Sequence, residues 1–397
     1  MTQPFTGVRI LDFTQVFAGP FGSYQLAVMG ADVIKVERPG GEDMRYAPPA
    51  DGWVERGLST HWMAINANKR CIALDLKRPE AVEIVKRLAG EADVVMENFK
   101  AGSMDRLGIG YEALSAINPR LIYCAISGFG QNGPERGAAG YDGKIQAMSG
   151  IMSITGHPGQ GPMRAGFAVC DALAGMTAAF GVSSALFQRS HTGKGQFVDI
   201  SMLDAALAFL SPNVVEWTVG GHKSHQFGNQ AISRRPTANL FACQGGHLLL
   251  AVNNEGQFQA LVSALELTDL AADPRFADWP KRVENEPALR EAIEGVLAAA
   301  DAKTWEERLN AAGAPCAAIW SIDEIVTHPQ LAHRDVLQTI ESEYGPLNLV
   351  ASGVRLAHGG QKINRAPAAL GADTDAVLAE IGYSAADIKT LHEAEVV

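Results

Sequence analysis

The sequence is poor in the features that mark several large protein classes. Its five cysteines, Cys71, Cys124, Cys170, Cys243 and Cys316, lie far apart and form no CxxC pair. That argues against a disulfide framework and against a clustered zinc site, and reduced core thiols are expected. Positive charge is in deficit, with 33 lysines and arginines against 44 acids and a net charge of −11. No basic excess exists to release counterions from phosphates, so neither nucleic acid nor an anionic membrane is an expected partner. An anionic ligand would need a local basic pocket. No apolar run approaches the roughly 20 residues of a membrane helix, and the start, MTQPFTGVRILDF, lacks a basic segment followed by a long apolar stretch. A soluble cytoplasmic protein is expected. HExxH, P-loop and GxSxG motifs are missing, and the ten histidines are scattered. His222 and His225 make an HxxH without a third ligand nearby, so no metal is expected.

What is present is an ordinary globular balance, 47% hydrophobic and 19% charged residues over a 397-residue chain. That length allows two domains. The first half alternates short apolar runs with amphipathic stretches, the pattern of an α/β layered fold. Strands are predicted at Gly7–Phe13, Asp32–Glu37, Asp93–Met96, Leu121–Ile126 and Gln196–Ile200; their continuous apolar character suits parallel strands buried on both sides. Helices are predicted at Phe21–Met29, at Pro79 to about Ala89, at about Cys170 to Gln188, and at Ser201–Val215. Residues 220–236 are polar, basic and glycine-containing, and read as a linker. A smaller α/β unit is predicted over 237–325, with a strand at Gly246–Val252 and helices near Gln257–Ala264, Pro287–Ala299 and Thr304–Ala312. Residues 326–397 form a further linker and a tail ending in a helix, Thr374–Ile381.

Several motifs invite a functional reading. Gly128-Phe129-Gly130-Gln131-Asn132-Gly133 is a literal GxGxxG after a strand. A dinucleotide site needs that loop to open a helix, and Pro134, Gly137 and Gly140 argue against one. Asp171 stands at the start of a nearly all-apolar helix. It reads either as an N-terminal helix carboxylate that satisfies free backbone N–H groups or as a nucleophile. With an unperturbed pKa of about 3.9 it would be ionised at pH 7 and able to attack a thioester carbonyl. Gly175, one turn on, would leave room for a substrate near the backbone. Lys35 and Arg38, Lys69 and Arg70, and Lys77 and Arg78 cluster at predicted strand ends. They are either solvated loop charges or a phosphate pocket beyond the carboxyl ends of an open sheet.

Taken in order, GVRILDFTQVFAGPF, GADVIKVERPGGED, NANKRCIALDLK, ADVVMENFKAG, INPRLIYCAISGFGQNGP, GYDGKIQAMSGIMSITG, the Asp171 segment, TGKGQFVDISMLDA and LGADTDAVLAEIGYS resemble the class III CoA-transferases. The resemblance runs through almost the whole chain. It implies a Rossmann-like large domain built from both termini (1–219 and the 326–397 return), a small central domain, and two chains interlocked as rings in a homodimer. It implies Asp171 as the catalytic nucleophile. CoA would be held by Val16, Arg38, Leu74, Lys77, Asn98, Phe99 and Arg106, with Ala139, Gly140 and Tyr141 lining the path to the thioester. Phe17 stands where the formyl-CoA branch has glutamine, and Ala139 replaces a family lysine.

The resemblance further implies CoA or acyl-CoA as substrate and no metal. Racemases of the family pair the aspartate with a histidine in Gly-His-Asp; here the sequence is Gly140-Tyr141-Asp142, so transfer is favoured over racemisation. The expected reaction passes through an aspartyl anhydride and an aspartyl-CoA thioester, with each oxyanion stabilised by backbone N–H groups at about 3 kcal/mol per donor. Arg164, Arg234 and Arg235 are candidate partners for an acceptor carboxylate, expected to be a small dicarboxylic acid. The nearest match to the family's glycine-rich lid is Asn253–Gln257, which has one glycine. The alternatives are a racemase-like acid/base enzyme, a nicotinamide oxidoreductase, and a CoA-binding protein without catalysis.

Overall fold

The apolar runs of the first half close into one parallel sheet. In the computed structural model, which describes residues 2–48 and 52–397, the strands are β1 (Arg9–Asp12), β2 (Asp32–Glu37), β3 (Lys69–Ala73), β4 (Val94–Glu97), β5 (Ile122–Ser127) and β6 (Gln196–Ser201). Their order is β3-β2-β1-β4-β5-β6, and every pairing is parallel. Alternate residues feed opposite layers. Leu11, Ile34, Ile72 and Val95 face helix α2 (Pro79–Glu91), which buries Ala81, Ile84, Val85, Leu88 and Ala89 against them. Each large side chain contributes about 1.5–3 kcal/mol of burial. Ile10, Val33, Val94 and Ile122 face the other way, toward α1 (Ala18–Val28) and a long helix described below. The tail returns to the first layer, where Val377, Leu378, Ile388, Leu391 and Val396 join the same core.

Several elements differ from the sequence reading, each for a local reason. Helix α1 begins three residues earlier than predicted and takes in Gly19 and Pro20; proline is tolerated in a first turn, where its missing N–H has no helical partner. After α3 (Asp142–Met148) and α4 (Val169–Thr192), the single helix predicted at Ser201–Val215 is two, α5 (Met202–Phe209) and α6 (Ser211–Thr218), with Pro212 in the first turn of the second. Helix α4 spans 24 residues and is long and apolar enough to cross a membrane by length and composition, which corrects the expectation that nothing in the chain approaches that length. The helix predicted at about Cys170 to Gln188 starts one residue earlier and ends four residues later, at Gly193, a left-handed cap. One side of α4 packs on α1 through Ala174, Gly175 and Ala178, while Phe180 and Phe187 are exposed.

By its contacts the chain divides into two compact units, one comprising residues to Ile151, Arg164–Lys223 and Pro329–Val397, the other Met152–Met163 and Ser224–His328. The second holds an antiparallel sheet of β7 (Leu240–Cys243), β8 (Gly246–Leu250) and β9 (Cys316–Ala318). Its core is built on Phe241, Leu248, Phe258, Leu289, Ile293 and Trp305. Asn253–Gln257, the candidate lid, is instead a capping box that opens the helix Glu255–Ala264, with Asn254 and Gln257 each bonding the other's backbone. The first unit also carries a hairpin of β10 (Leu337–Ser342) and β11 (Gly345–Val350) that periodicity did not reveal.

Candidate active site

In this strand order the chain leaves the sheet in opposite directions after β1 and β4, and ligands of open α/β sheets bind at that divide, beyond the carboxyl ends of the strands. A cavity of about 390 Å³ lies there. Its walls are the loops after β1 (Gln15–Ala18), β4 (Asn98–Ala101) and β5 (Ile126–Gly130), the segment Gly137–Tyr141, and Asp171. No helix opens in residues 128–141, so the GxGxxG does not form a dinucleotide turn. Its glycine serves a crossing instead. A Cβ on Gly128 would lie 2.6 Å from Gly140 Cα, and one on Gly140 would lie 2.4 Å from Gly128 Cα, so two walls of the cavity touch where neither residue has a side chain.

Asp171 is the third residue of α4, and its side chain caps nothing. The second helical N–H, that of Cys170, donates to Asp142 Oδ1 at 2.9 Å. Asp142 is buried and also accepts from Gln146 Nε2 (2.6 Å) and Arg164 Nη2 (3.2 Å). A residue 29 positions away thus does the capping work the sequence offered to Asp171. Burial, and then the Asp142 charge, push the Asp171 carboxyl up to about 7, with no cation offsetting them. The unperturbed pKa of about 3.9 therefore does not carry over to this site, because burial and a like charge both favour the protonated form. Burial likewise pushes the Cys170 thiol up to about 12, which keeps it protonated beside the aspartate. Gly175 is corrected too. A Cβ there would sit 2.5 Å from Ala18 O and 3.2 Å from Gly22 N, so this glycine lets α4 approach α1 and is not space for substrate.

The structure brings Val16, Asn98, Phe99, Ala139, Gly140 and Tyr141 together with Asp171 around the cavity. Asn98 is committed to the backbone: its Oδ1 accepts from Gln15 N (2.7 Å) and its Nδ2 donates to Gln15 O (2.8 Å). Phe99 N donates to Glu97 Oε2 at 2.7 Å. Arg38, Leu74, Lys77 and Arg106 do not line the cavity. Arg38 is exposed at the end of β2, paired with Asp43 and donating to Gly41 O. Leu74 is fully buried behind β3, Lys77 is exposed beyond it, and Arg106 is exposed and donates to Ser103 Oγ at 2.9 Å.

The clustered basic residues sort into two groups. Lys35 and Lys69 are core residues, the first 2.8 Å from Glu42 and the second 3.0 Å from Asp12. Arg70 pairs with Asp32 and Glu380 at the opposite, amino end of the strands. These three belong to no phosphate pocket, because each charge is already matched; Arg38, Lys77 and Arg78 remain beyond the carboxyl ends. The sequence reading missed Asp142, whose only signal was its place in GYDG, and Lys100, which lines the cavity. Of the acceptor candidates, Arg164 bonds Asp142 while remaining mostly exposed. Arg234 and Arg235 lie in the second unit, stacked over Phe227 and Trp279. Among the described residues no group of three or more His, Cys, Asp or Glu could hold a metal.

Comparison with known proteins bears on the family and the fold. The sequence profile of CoA-transferase family III matches residues 5–374. A succinate–glutarate CoA-transferase of Agrobacterium fabrum is 39% identical over 89% of this chain and 88% of its own length. An acetyl-CoA:oxalate CoA-transferase of Acetobacter aceti is 38% identical over 84% and 85%. Among solved structures, a CAIB/BAIF family protein from Brucella suis superposes with a TM-score of 0.88 at 34% identity, covering 96% of this chain and all of that one.

Proposed function

The chain belongs to CoA-transferase family III, and from that premise we propose that it moves CoA between two small dicarboxylic acids, with Asp171 as the covalent carrier. The observation that carries this reading is Asp171 itself, an unmatched, half-buried carboxylate at the mouth of a long helix, opening into the cavity where the sheet divides. Such a group is a better nucleophile than a solvated carboxylate, because burial has already removed much of its hydration.

In the proposed reaction the Asp171 carboxylate attacks the donor thioester carbonyl and expels CoA thiolate, leaving an aspartyl acyl anhydride. The thiolate attacks the aspartyl carbonyl, the donor acid departs, and an aspartyl-CoA thioester remains. The acceptor carboxylate attacks that thioester, again expelling the thiolate; attack on the acceptor carbonyl releases its CoA thioester and free Asp171. No net proton is consumed. Val16, Asn98, Phe99 and Ala139–Tyr141 would flank the reacting end of CoA, with Arg38, Lys77 and Arg106 at its phosphates. The relatives named for glutarate and oxalate support dicarboxylic acids as substrates, and Arg164 offers a guanidinium for the carboxylate that does not react. The racemase alternative needs a second acid–base group, and no histidine lies among the cavity-lining residues.

A homodimer in the cytoplasm completes the proposal. Phe180, Phe187, Phe209 and Trp217 form exposed apolar surface on α4 to α6, which supports contact with a second copy. Five free thiols suit a reducing compartment. The test is intact-protein mass spectrometry after mixing with succinyl-CoA, then hydroxylamine. A CoA-sized adduct that becomes a hydroxamate at Asp171 in the wild type and is missing in Asp171→Asn is expected. No adduct with a panel of dicarboxylyl-CoA donors would overturn the covalent reading.

A further inference from the structure

Val16 holds a backbone conformation that its side chain disfavours. Its φ is +66°, a left-handed value that β-branched residues rarely adopt, and it lines the cavity with Asp171. Such a conformation persists only when its surroundings over-determine it. Here the side chain is exposed, but the groups that hold the backbone are charged and buried. Val16 N donates to Glu42 Oε2 at 2.7 Å, and Glu42 is 3% exposed. The other carboxylate oxygen of Glu42 accepts from Lys35 Nζ at 2.8 Å and from Trp62 Nε1 at 2.9 Å. Lys35 Nζ reaches on to Thr14 O at 2.8 Å, two residues before Val16. One buried ion pair thus holds the turn at two points, the Thr14 carbonyl and the amide of the strained residue itself.

The turn is also where α1 meets the helix of Asp171. Ala18, two residues beyond Val16, presents its carbonyl to α4 at Gly175, so close that a Cβ there would be 2.5 Å away. Gly175 is one helical turn past Asp171 and on the same face. We propose that Glu42 is a positioning residue for the transfer step: by fixing Val16 it sets the β1–α1 turn, and through Ala18 and Gly175 it sets the distance between that cavity wall and Asp171. This rests on the reading of Asp171 as the carrier. A carboxylate is needed because it offers two acceptor oxygens, one to Val16 and one to Lys35 and Trp62; the amide of glutamine has one, and would turn its NH₂ against a donor on the other side.

The test uses the full-length chain in a double-mutant cycle of Glu42→Gln and Val16→Gly, since glycine takes φ +66° without strain. CoA binding is measured by calorimetry and turnover with a succinyl-CoA donor. Glu42→Gln is expected to lower kcat about tenfold or more while the Kd for CoA moves less than about threefold. In the Val16→Gly background the same substitution should cost less than about threefold in kcat. A wild-type kcat in Glu42→Gln, or equal losses in both backgrounds, would overturn the proposal. Should Glu42→Gln alone not fold, the Val16→Gly background decides, and a loss above about tenfold there counts against it. Wild-type turnover that survives Asp171→Asn would instead reject the carrier reading, whatever the cycle gives.

Discussion

Two regions of this protein bury carboxylates, and they do so in opposite ways. Beneath the β1–β3 edge of the sheet, Asp12 pairs with Lys69, Glu37 with Arg45 and Glu42 with Lys35, all with side chains at most 2% exposed. Burial raises the Asp12 and Glu37 carboxyls, but the neighbouring cations and hydrogen bonds outweigh it and leave both below the ordinary range. For Asp171 on the cavity wall and Glu97 at the end of β4, the balance reverses. Burial pushes Asp171 up to about 7 and Glu97 up to about 8, and no lysine or arginine compensates either. A buried carboxylate that is matched holds a turn in place; one left unmatched is kept at an energetic cost, which makes it a candidate for chemistry.

The sharpest break of this contrast is Asp171→Asn. It is expected to lower CoA transfer by at least about a thousandfold, since the proposed carrier is lost, yet to raise the thermal midpoint. The sign follows from linkage. A carboxyl whose folded pKa is raised holds its proton in the folded state after the unfolded chain has lost it, so the wild type loses stability as pH rises from about 4 to about 7. The midpoint difference between variant and wild type should be small at pH 4 and largest at pH 8, as scanning calorimetry would record. Equal midpoints throughout would mean that Asp171 is not penalised by burial.

Next in size is the matched region. Asp12→Asn should destabilise by about 3–5 kcal/mol, because it leaves Lys69 buried beside a neutral partner; urea unfolding at pH 7 measures it. Asp12 also has the opposite pH sign to Asp171. Its lowered folded pKa gives stability that is present above about 3.8 and lost as pH falls through the folded value. A smaller effect is expected in turnover itself: kcat/KM should rise with pH along a limb whose midpoint lies near 7, which steady-state rates from pH 5.5 to 8.5 would resolve. The smallest expected change is Arg164→Gln, which should raise KM for the acceptor acid about tenfold while KM for the CoA donor stays within about twofold. A change confined to the donor would move Arg164 from the acceptor to the CoA side.

The residues differ in how much of this they disclosed. Strands β1, β2, β4, β5 and β6 were legible because buried parallel strands are written as mostly apolar runs, and Asp171 was legible as a lone charge opening an apolar helix. The break between α5 and α6 was written in Pro212 and was overlooked. Lys35 is the instructive case. A lysine inside the run DVIKVE signals a buried, matched charge, but grouping it with Arg38 by proximity suggested a phosphate pocket, and only the position of Glu42 separates the two readings. The hairpin β10–β11 does alternate, Leu347 and Leu349 facing a core cluster between exposed neighbours, and that short period-2 signal was not read.

By itself, then, the sequence determined the α/β class, the parallel sheet and the family, and it singled out the aspartate proposed as the carrier, because those depend on local periodicity and on ordered motifs. The tertiary structure decided what each charge is for. Asp142 could be known as the partner of Cys170 only once α3 lay against α4, and Gly175 as a packing residue only once α1 crossed beside it. Whether a buried carboxylate is matched or free depends on contacts between residues distant in the chain, and those contacts set its proton affinity.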